Sequence, residues 1–191
     1  MPAIAVGSVL VSVEEFLAAE PGYEVKHEYL AGMPYAMAGA SGRHDTIATN
    51  LIGLLHGQLR GKPCQVHSSD FKVKLKISES TYFYYPDAMI VCGRAGLGKS
   101  WAEQPRVLFE ILSESTRAID EREKRIAYLS ISSLDVYVLI EQDTQKVIVE
   151  RRTREGWTRE ILEGPNAKLS LPTVGVELPI GELYERLPET E

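Results

Sequence analysis

The sequence predicts a mixed α/β domain with grouped strands. Strand-like runs gather before and after a single crossover helix, which argues against a strictly alternating doubly wound fold. One run, Arg106 to Leu112, is apolar on both faces, as a central strand must be. The 191 residues suit one domain spanning 1–191, with no linker rich in Pro, Gly or Ser and no internal repeat to divide them.

Each element has its own signal. Ser12-Val-Glu-Glu15 is a capping box that starts a short helix running to about Glu20, and Pro21-Gly22 ends it. Val25 to Leu30 and Met33 to Ala38 read as strands joined by an Ala31-Gly32 hairpin turn. Ile47, Leu51, Leu54, Leu55 and Leu59 make one apolar stripe of a long helix, stopped by Gly61-Lys62-Pro63. Cys64 to Ile77 and Tyr82 to Cys92 are strand-like, with Val73, Leu75 and Ile77 facing one way and Lys72, Lys74 and Lys76 the other. Asp120 to Ser130 reads as a helix, with Ile126, Ala127, Leu129 and Ile131 as its core stripe. Leu134 to Ile140 and Val147 to Arg151 form a hairpin that Trp157 to Leu162 extends, and a short helix closes the tail over 178–186.

Composition narrows the function classes. With 44% hydrophobic and 25% charged residues the chain is an ordinary globular one. It lacks the roughly 18 unbroken apolar residues of a spanning helix, and Met1 to Val13 lacks the positive flank of a secretory signal, so a cytoplasmic location without a membrane is expected. The net charge of −6, from 21 Lys plus Arg against 27 Asp plus Glu, argues against coating nucleic acid by bulk electrostatics while leaving room for a local basic cleft. Cys64 and Cys92 are expected as reduced, buried small hydrophobes. Cys64 and His67 spell C-x-x-H, but no second ligand cluster exists to complete a metal site.

Gly93 to Ser100 matches the phosphate-binding pattern G-x-x-x-x-G-K-[ST] and follows an apolar strand. The chemistry needs a helix beginning at the Lys-Ser pair, yet Trp101-Ala-Glu-Gln104 meets Pro105 and the next strand at once, leaving a glycine-rich surface loop.

The acidic residues are more informative. Glu110 lies inside Val107-Leu-Phe-Glu-Ile-Leu112, where an ionised carboxylate is costly unless a cation or several donors meet it. Asp87, after Pro86, opens the run Ala88 to Val91 and is expected on the adjacent strand. Two such carboxylates make a hard oxygen site suited to magnesium or manganese. Lys124 shares a helix face with Tyr128 at i, i+4 and supplies a candidate amine, and Glu28 could add a third acid. Taken singly, these residues fit structural roles, as a turn aspartate, an ion pair and a half-exposed strand residue.

Together they carry a resemblance. Tyr85-Pro86-Asp87, Phe109-Glu110-Ile-Leu112-Ser-Glu-Ser-Thr116, Asp120-x-x-Glu-Lys124-x-x-x-Tyr128 and Leu134 to Ile140 resemble the Uma-type family of restriction-endonuclease-like proteins, within the PD-(D/E)XK nuclease superfamily. The likeness runs from about Ser12 to Leu162 and is most specific from Glu110 to Tyr137. It implies a restriction-endonuclease-like α-β-β-β-α-β core, a mixed central sheet flanked by helices. It also implies Mg2+- or Mn2+-dependent endonucleolytic hydrolysis of DNA phosphodiester bonds, with Asp87 and Glu110 as metal ligands and Glu28 as accessory acid. The superfamily pattern sets lysine two residues after the glutamate, where this chain has Leu112; relatives carry it on the following helix, which corresponds to Lys124.

Lower in the ranking, Arg43 and His44, before the long helix, could touch phosphate and aid proton transfer, or simply shape the helix start. Lys72 and Lys74 offer a phosphate-contacting strand face or a solvated one. DNA as substrate and a homodimer are the expected partners, the latter because two-fold pairs are the commonest assembly and a duplex has two strands. A catalytically inactive binding or assembly protein of the same fold is the alternative, and a nucleotide binder acting through Gly93 to Ser100 a weaker one.

Overall fold

In the computed structural model, which describes residues 10–94, 97–98, 100–114 and 116–187, helix α1 (Val13–Ala19) opens on the expected capping box. The Ser12 hydroxyl accepts from the Glu15 N–H at 3.2 Å and the Glu15 carboxylate accepts from the Ser12 N–H at 2.9 Å. Strands β1 (His27–Leu30) and β2 (Met33–Ala36) are joined by a two-residue turn in which Ala31 and Gly32 hold positive φ, 50° and 101°, matching the twist of the strands. Helix α2 (Gly42–Leu59) buries Ile47, Leu51, Leu55 and Leu59, one residue per turn.

The two long runs that follow are each broken by a turn into β3 (Cys64–Ser68), β4 (Lys72–Ile77), β5 (Ser80–Tyr84) and β6 (Ala88–Cys92). After β7 (Trp101–Ala102) and β8 (Pro105–Leu112), a π-helical turn (Ile119–Lys124) runs into α3 (Arg125–Leu129). Strands β9 (Val136–Glu141), β10 (Lys146–Thr153) and β11 (Gly156–Glu163) follow as expected. An unexpected hairpin, β12 (Lys168–Leu171) with β13 (Val176–Pro179), precedes α4 (Ile180–Leu183), which falls inside the expected tail helix.

Among the described residues the strands form a six-stranded sheet, β11-β10-β9-β8-β6-β3, a five-stranded sheet, β2-β1-β5-β4-β7, and the β12-β13 hairpin. Strand β8 is central, antiparallel to β6 and parallel to β9, which makes the sheet mixed. Its alternate residues serve two cores. Val107, Phe109 and Ile111 pack under α2 and the hairpin, while Leu108 and Leu112 face α3 and the five-stranded sheet. The chain passes between the two large sheets through Tyr85-Pro86-Asp87, which links β5 to β6. No helix among the described residues is long and apolar enough to cross a membrane.

Three expectations need correction, and a fourth, that no helix starts at the Gly93 to Ser100 match, holds. Cys64 and Cys92 are not free thiols; they lie opposite each other on β3 and β6 and form a disulfide. The Gly93 N–H to Pro63 carbonyl bond next to them, 3.0 Å, makes theirs a non-hydrogen-bonded pair, where side chains approach most closely. That register joins strands distant in sequence, so the sequence alone does not show it. Lys72 is not on a solvated face: β4 lies between β5 and β7, and the ammonium is buried over the Tyr85 ring at 4.9 Å, donating to its hydroxyl at 3.1 Å. Through the end of the π-helical turn, α3 and the residues just after it, the inward residues are Lys124, Ala127, Tyr128 and Ile131, which leaves Ile126 exposed. In the Gly93 to Ser100 match, Ala95, Gly96 and Lys99 lie outside the described residues, but Trp101 and Ala102 pair with β4 as strand, so the helix a nucleotide phosphate would need does not start there.

Protein prepared without reductant is expected to show no free thiol under denaturing conditions, and reduction is expected to lower the unfolding free energy by about 3 kcal/mol. Two reactive thiols in the fully stable protein would contradict the bridge.

Candidate active site

Asp87, Glu110 and Asp120 line one cleft of about 1060 Å³ at the junction of the two sheets, and Glu28 joins them through Lys124. The β6/β8 register sets Ala88 opposite Phe109, so Asp87 stands level with Glu110 on the side facing α3. Asp87 Oδ2 is held by the Ile111 N–H at 2.6 Å and by His44 Nε2 at 3.1 Å, which ties the start of α2 to the central strand. Glu28 comes from β1 of the other sheet, its Oε1 accepting from the Tyr85 N–H at 3.4 Å. The π-helical turn contributes Asp120 and Lys124, and α3 contributes Tyr128. The wider winding of such a turn often marks functional positions.

Lys124 is the centre of the cluster. Its Nζ lies 2.9 Å from Glu28 Oε1, 3.3 Å from Glu110 Oε1 and 3.4 Å from Asp120 Oδ1, and Tyr128 donates its hydroxyl to Glu110 Oε1 at 2.9 Å. The side chains of Lys124, Glu110 and Asp120 are all buried. Burial pushes the Glu110 carboxyl well above the ordinary carboxylate range; the Lys124 ammonium pulls against it, and Asp120, Asp87 and Glu28 add to the rise. Asp120 is raised for the same first reason, burial, with Lys124 opposing. For Lys124 burial favours the neutral amine, but Glu110, Glu28 and Asp120 outweigh it and hold the ammonium well above its usual value. Burial likewise lowers His44, yet the bond to Asp87 and that carboxylate's charge leave it raised overall.

Among the described residues, no three His, Cys, Asp or Glu side chains are gathered closely enough to hold a metal ion. The donor chemistry nonetheless suits a hard divalent cation. Four carboxyl groups face one ammonium and one imidazole, and Asp120 Oδ1 is buried with only the long Lys124 ion pair and no hydrogen bond. Carboxyl groups thus outnumber cationic ones where Asp87 and Glu110 stand side by side.

The structure brings Asp87, Glu110, Lys124 and His44 together on the lining of this cleft, with Glu28 behind it, paired to Lys124. Arg43 points its guanidinium at the Gln142 carbonyl, 2.9 Å away. Lys72 lies beneath Tyr85, and Lys74 donates to Glu103 at 2.7 Å beside a separate depression of about 290 Å³. Sequence reasoning missed Asp120, although its position four residues before Lys124 was the available signal. It also missed the buried Glu20, whose Oε1 accepts from the His27 N–H at 2.7 Å and the Tyr85 hydroxyl at 3.0 Å, clamping the segments that present Glu28 and Asp87. No local pattern around Glu20 announces a partner sixty-five positions away.

Replacing Lys124 by Met is expected to cost about 3–5 kcal/mol at neutral pH, because buried acids lose their shared ammonium. The cost should shrink on acidification. Glu110 in the folded protein binds its proton more tightly than an unfolded glutamate with a pKa of about 4.3, so stability falls as pH rises from there through the raised folded value. Urea unfolding across that pH range checks this; a penalty that grows in acid would contradict it.

Comparison with known proteins bears on the family and the fold. The Uma2 family, described as "Putative restriction endonuclease", matches residues 13–181. Two relatives from Synechocystis sp. (strain ATCC 27184 / PCC 6803 / Kazusa) are "Uncharacterized protein slr1290", 27% identical over 178 residues covering 93% of each chain, and "Uncharacterized protein sll1609", 28% identical over 164 residues covering 84% of this chain and 92% of that one. A solved structure from Anabaena variabilis ATCC 29413, described as "a putative nuclease belonging to DUF820", superposes with a TM-score of 0.72 over 93% of this chain and 99% of that one. At 18% identity this likeness shows the fold, which is the mixed sheet with flanking helices found here. With the family match spanning nearly all of the described residues, the chain belongs to the Uma2 family of restriction-endonuclease-like proteins.

Proposed function

We propose that this protein is a cytoplasmic, metal-dependent endodeoxyribonuclease that hydrolyses DNA phosphodiester bonds. One observation carries the reading: Asp87, Glu110 and Lys124, far apart in sequence, line a single cleft, and Glu28 joins them behind its wall through an ion pair with Lys124. Lys124 takes part although it departs from the superfamily spacing, since the π-helical turn brings its ammonium to Glu110 from the helix that follows. The family match supports nuclease chemistry at the coarse level, and Mg2+ or Mn2+ is the cofactor this donor set suits.

Asp87 and Glu110 would hold the ion, which when bound supplies Lewis acidity and a more nucleophilic water. The chain's own groups do the rest. The Ile111 N–H fixes the Asp87 carboxylate, so its orientation does not depend on a long flexible arm. Lys124, kept charged by its acids, offers an ammonium to the negative charge that gathers on the phosphate during attack. Glu28 and Tyr128 position that ammonium and the Glu110 carboxylate respectively. His44, bonded to Asp87 and lining the cleft, is placed to pass a proton to the departing alkoxide. With Arg43 beside it at the start of α2, His44 forms the basic contact retained from the sequence for the strand backbone. Lys72 and Lys74 are left out of the contact surface.

The test uses supercoiled plasmid and single-stranded DNA with Mg2+, Mn2+ or chelator. Wild type is expected to cleave only with metal, and Asp87→Ala, Glu110→Gln and Lys124→Ala each to lose at least about a hundredfold. Cleavage that survives chelation or Asp87→Ala would refute the assignment. Metal-independent binding of duplex without any cleavage would favour the inactive binding protein.

A further inference from the structure

We propose that the outer edge of β11 is a pairing surface for a second copy of this chain, antiparallel, with Ile161 on the two-fold axis. The surface is independent of the nuclease reading. Strand β11 closes one side of the six-stranded sheet, runs eight residues, contains no proline and keeps unbroken register with β10. An edge of that kind is an open template for another strand unless something covers it.

Hydrogen-bond parity shows which groups it offers. The bonds from the Arg152 N–H to the Asp135 carbonyl and from the Gly164 N–H to the Gln145 carbonyl, both 2.8 Å, assign even-numbered residues of β10 to β9 and odd-numbered ones to β11. Through the β10/β11 register, Gly156, Thr158, Glu160 and Leu162 bond inward, and Trp157, Arg159, Ile161 and Glu163 direct their backbone N–H and C=O groups outward.

The occupant follows from self-complementarity. A two-fold axis through Ile161 sets Arg159 opposite Glu163 of the second copy, and Glu163 opposite Arg159 of that copy, with the two Ile161 side chains in contact between them. Centring instead on Arg159, Glu160 or Glu163 would set like charges face to face. Among the described residues Arg159 and Glu163 have only loose partners, Glu150 at 3.8 Å and Lys146 at 3.4 Å, and both remain substantially exposed. Ile161 is 53% exposed, and Ile126 of α3, above the same side of the sheet, is 70% exposed. Arg125, next to Ile126, and Arg159 both reach Glu150, so helix and strand edge share one surface.

This geometry leaves the clefts open. Glu110, Leu139, Ile148 and Ile161 lie in one row across the sheet, which places each cleft three strands in from the axis. Dimer-breaking changes at β11 should therefore spare the site.

Light scattering and sedimentation equilibrium on the full chain test the proposal. Wild type is expected at twice the mass of one chain. Arg159→Glu is expected to raise the dimer dissociation constant roughly tenfold or more, by opposing like charges. The double reversal Arg159→Glu with Glu163→Arg should restore dimerisation, and Ile161→Lys should give a folded monomer by circular dichroism. If Ile161→Lys fails to fold, the charge-reversal pair decides alone. A monomeric wild type, or a dimer indifferent to Arg159→Glu, would overturn the proposal.

Discussion

One buried ammonium organises this molecule. Lys124 lies within 3.4 Å of carboxylate oxygens from β1, from the central strand β8 and from its own helical turn. Burying such a charge is costly unless every neighbour compensates it, so the position of Lys124 requires both sheets and the crossover helix to be in place together. The acids depend on the lysine equally. Glu110 has no solvent to turn to, and what stabilises its ionised form is the ammonium and the Tyr128 hydroxyl. A structural ion pair alone would need a single acid. Four acids outnumber one ammonium and one imidazole, and that surplus of acidic groups, two of them with raised proton affinity, turns a stabilising contact into a candidate reaction centre.

The scaffold explains why the cluster sits where it does. The chain leaves the five-stranded sheet at β5 and enters the six-stranded one at β6, and the three residues between, Tyr85 to Asp87, form one wall of the cleft. Backbone donors on both sides hold that crossing: the Tyr85 N–H meets Glu28 and the Ile111 N–H meets Asp87. Ile111 belongs to the central strand, so the Asp87 carboxylate that its N–H holds is fixed to the fold itself. The cations near the cleft mouth are largely committed to acids, Lys26 to Asp70 at 2.6 Å and Arg117 to Glu141. Attraction of a polyanion by bulk charge is thus weak here, in line with the chain's net charge of −6.

Much of this was legible in the sequence, and most of the failures share one cause. Periodicity located α2, β8 and the β9 to β11 series because each buries one face against a neighbour, and a carboxylate inside an apolar strand marked Glu110 before any contact was known. What depended on pairing between distant segments was not legible. The Cys64–Cys92 bridge needs the β3/β6 register, the burial of Lys72 needs Tyr85 above it, and the role of Glu20 needs two strands brought to it by the fold. The orientation of α3 removes one member, Ile126, from the expected apolar stripe while Ala127 and Ile131 stay buried, because the inward face also carries Lys124 and Tyr128. The β12–β13 hairpin was missed for a plainer reason: its strands are four residues each, too short for alternation to stand out.

A crystal structure of the protein grown with manganese, read by anomalous scattering, is the most direct measurement of the central claim. It is expected to show a peak bounded by Asp87 and Glu110, with the Lys124 ammonium still among its acids. Strong peaks elsewhere and none at those two carboxylates would leave Lys124 as a purely structural charge and contradict the account.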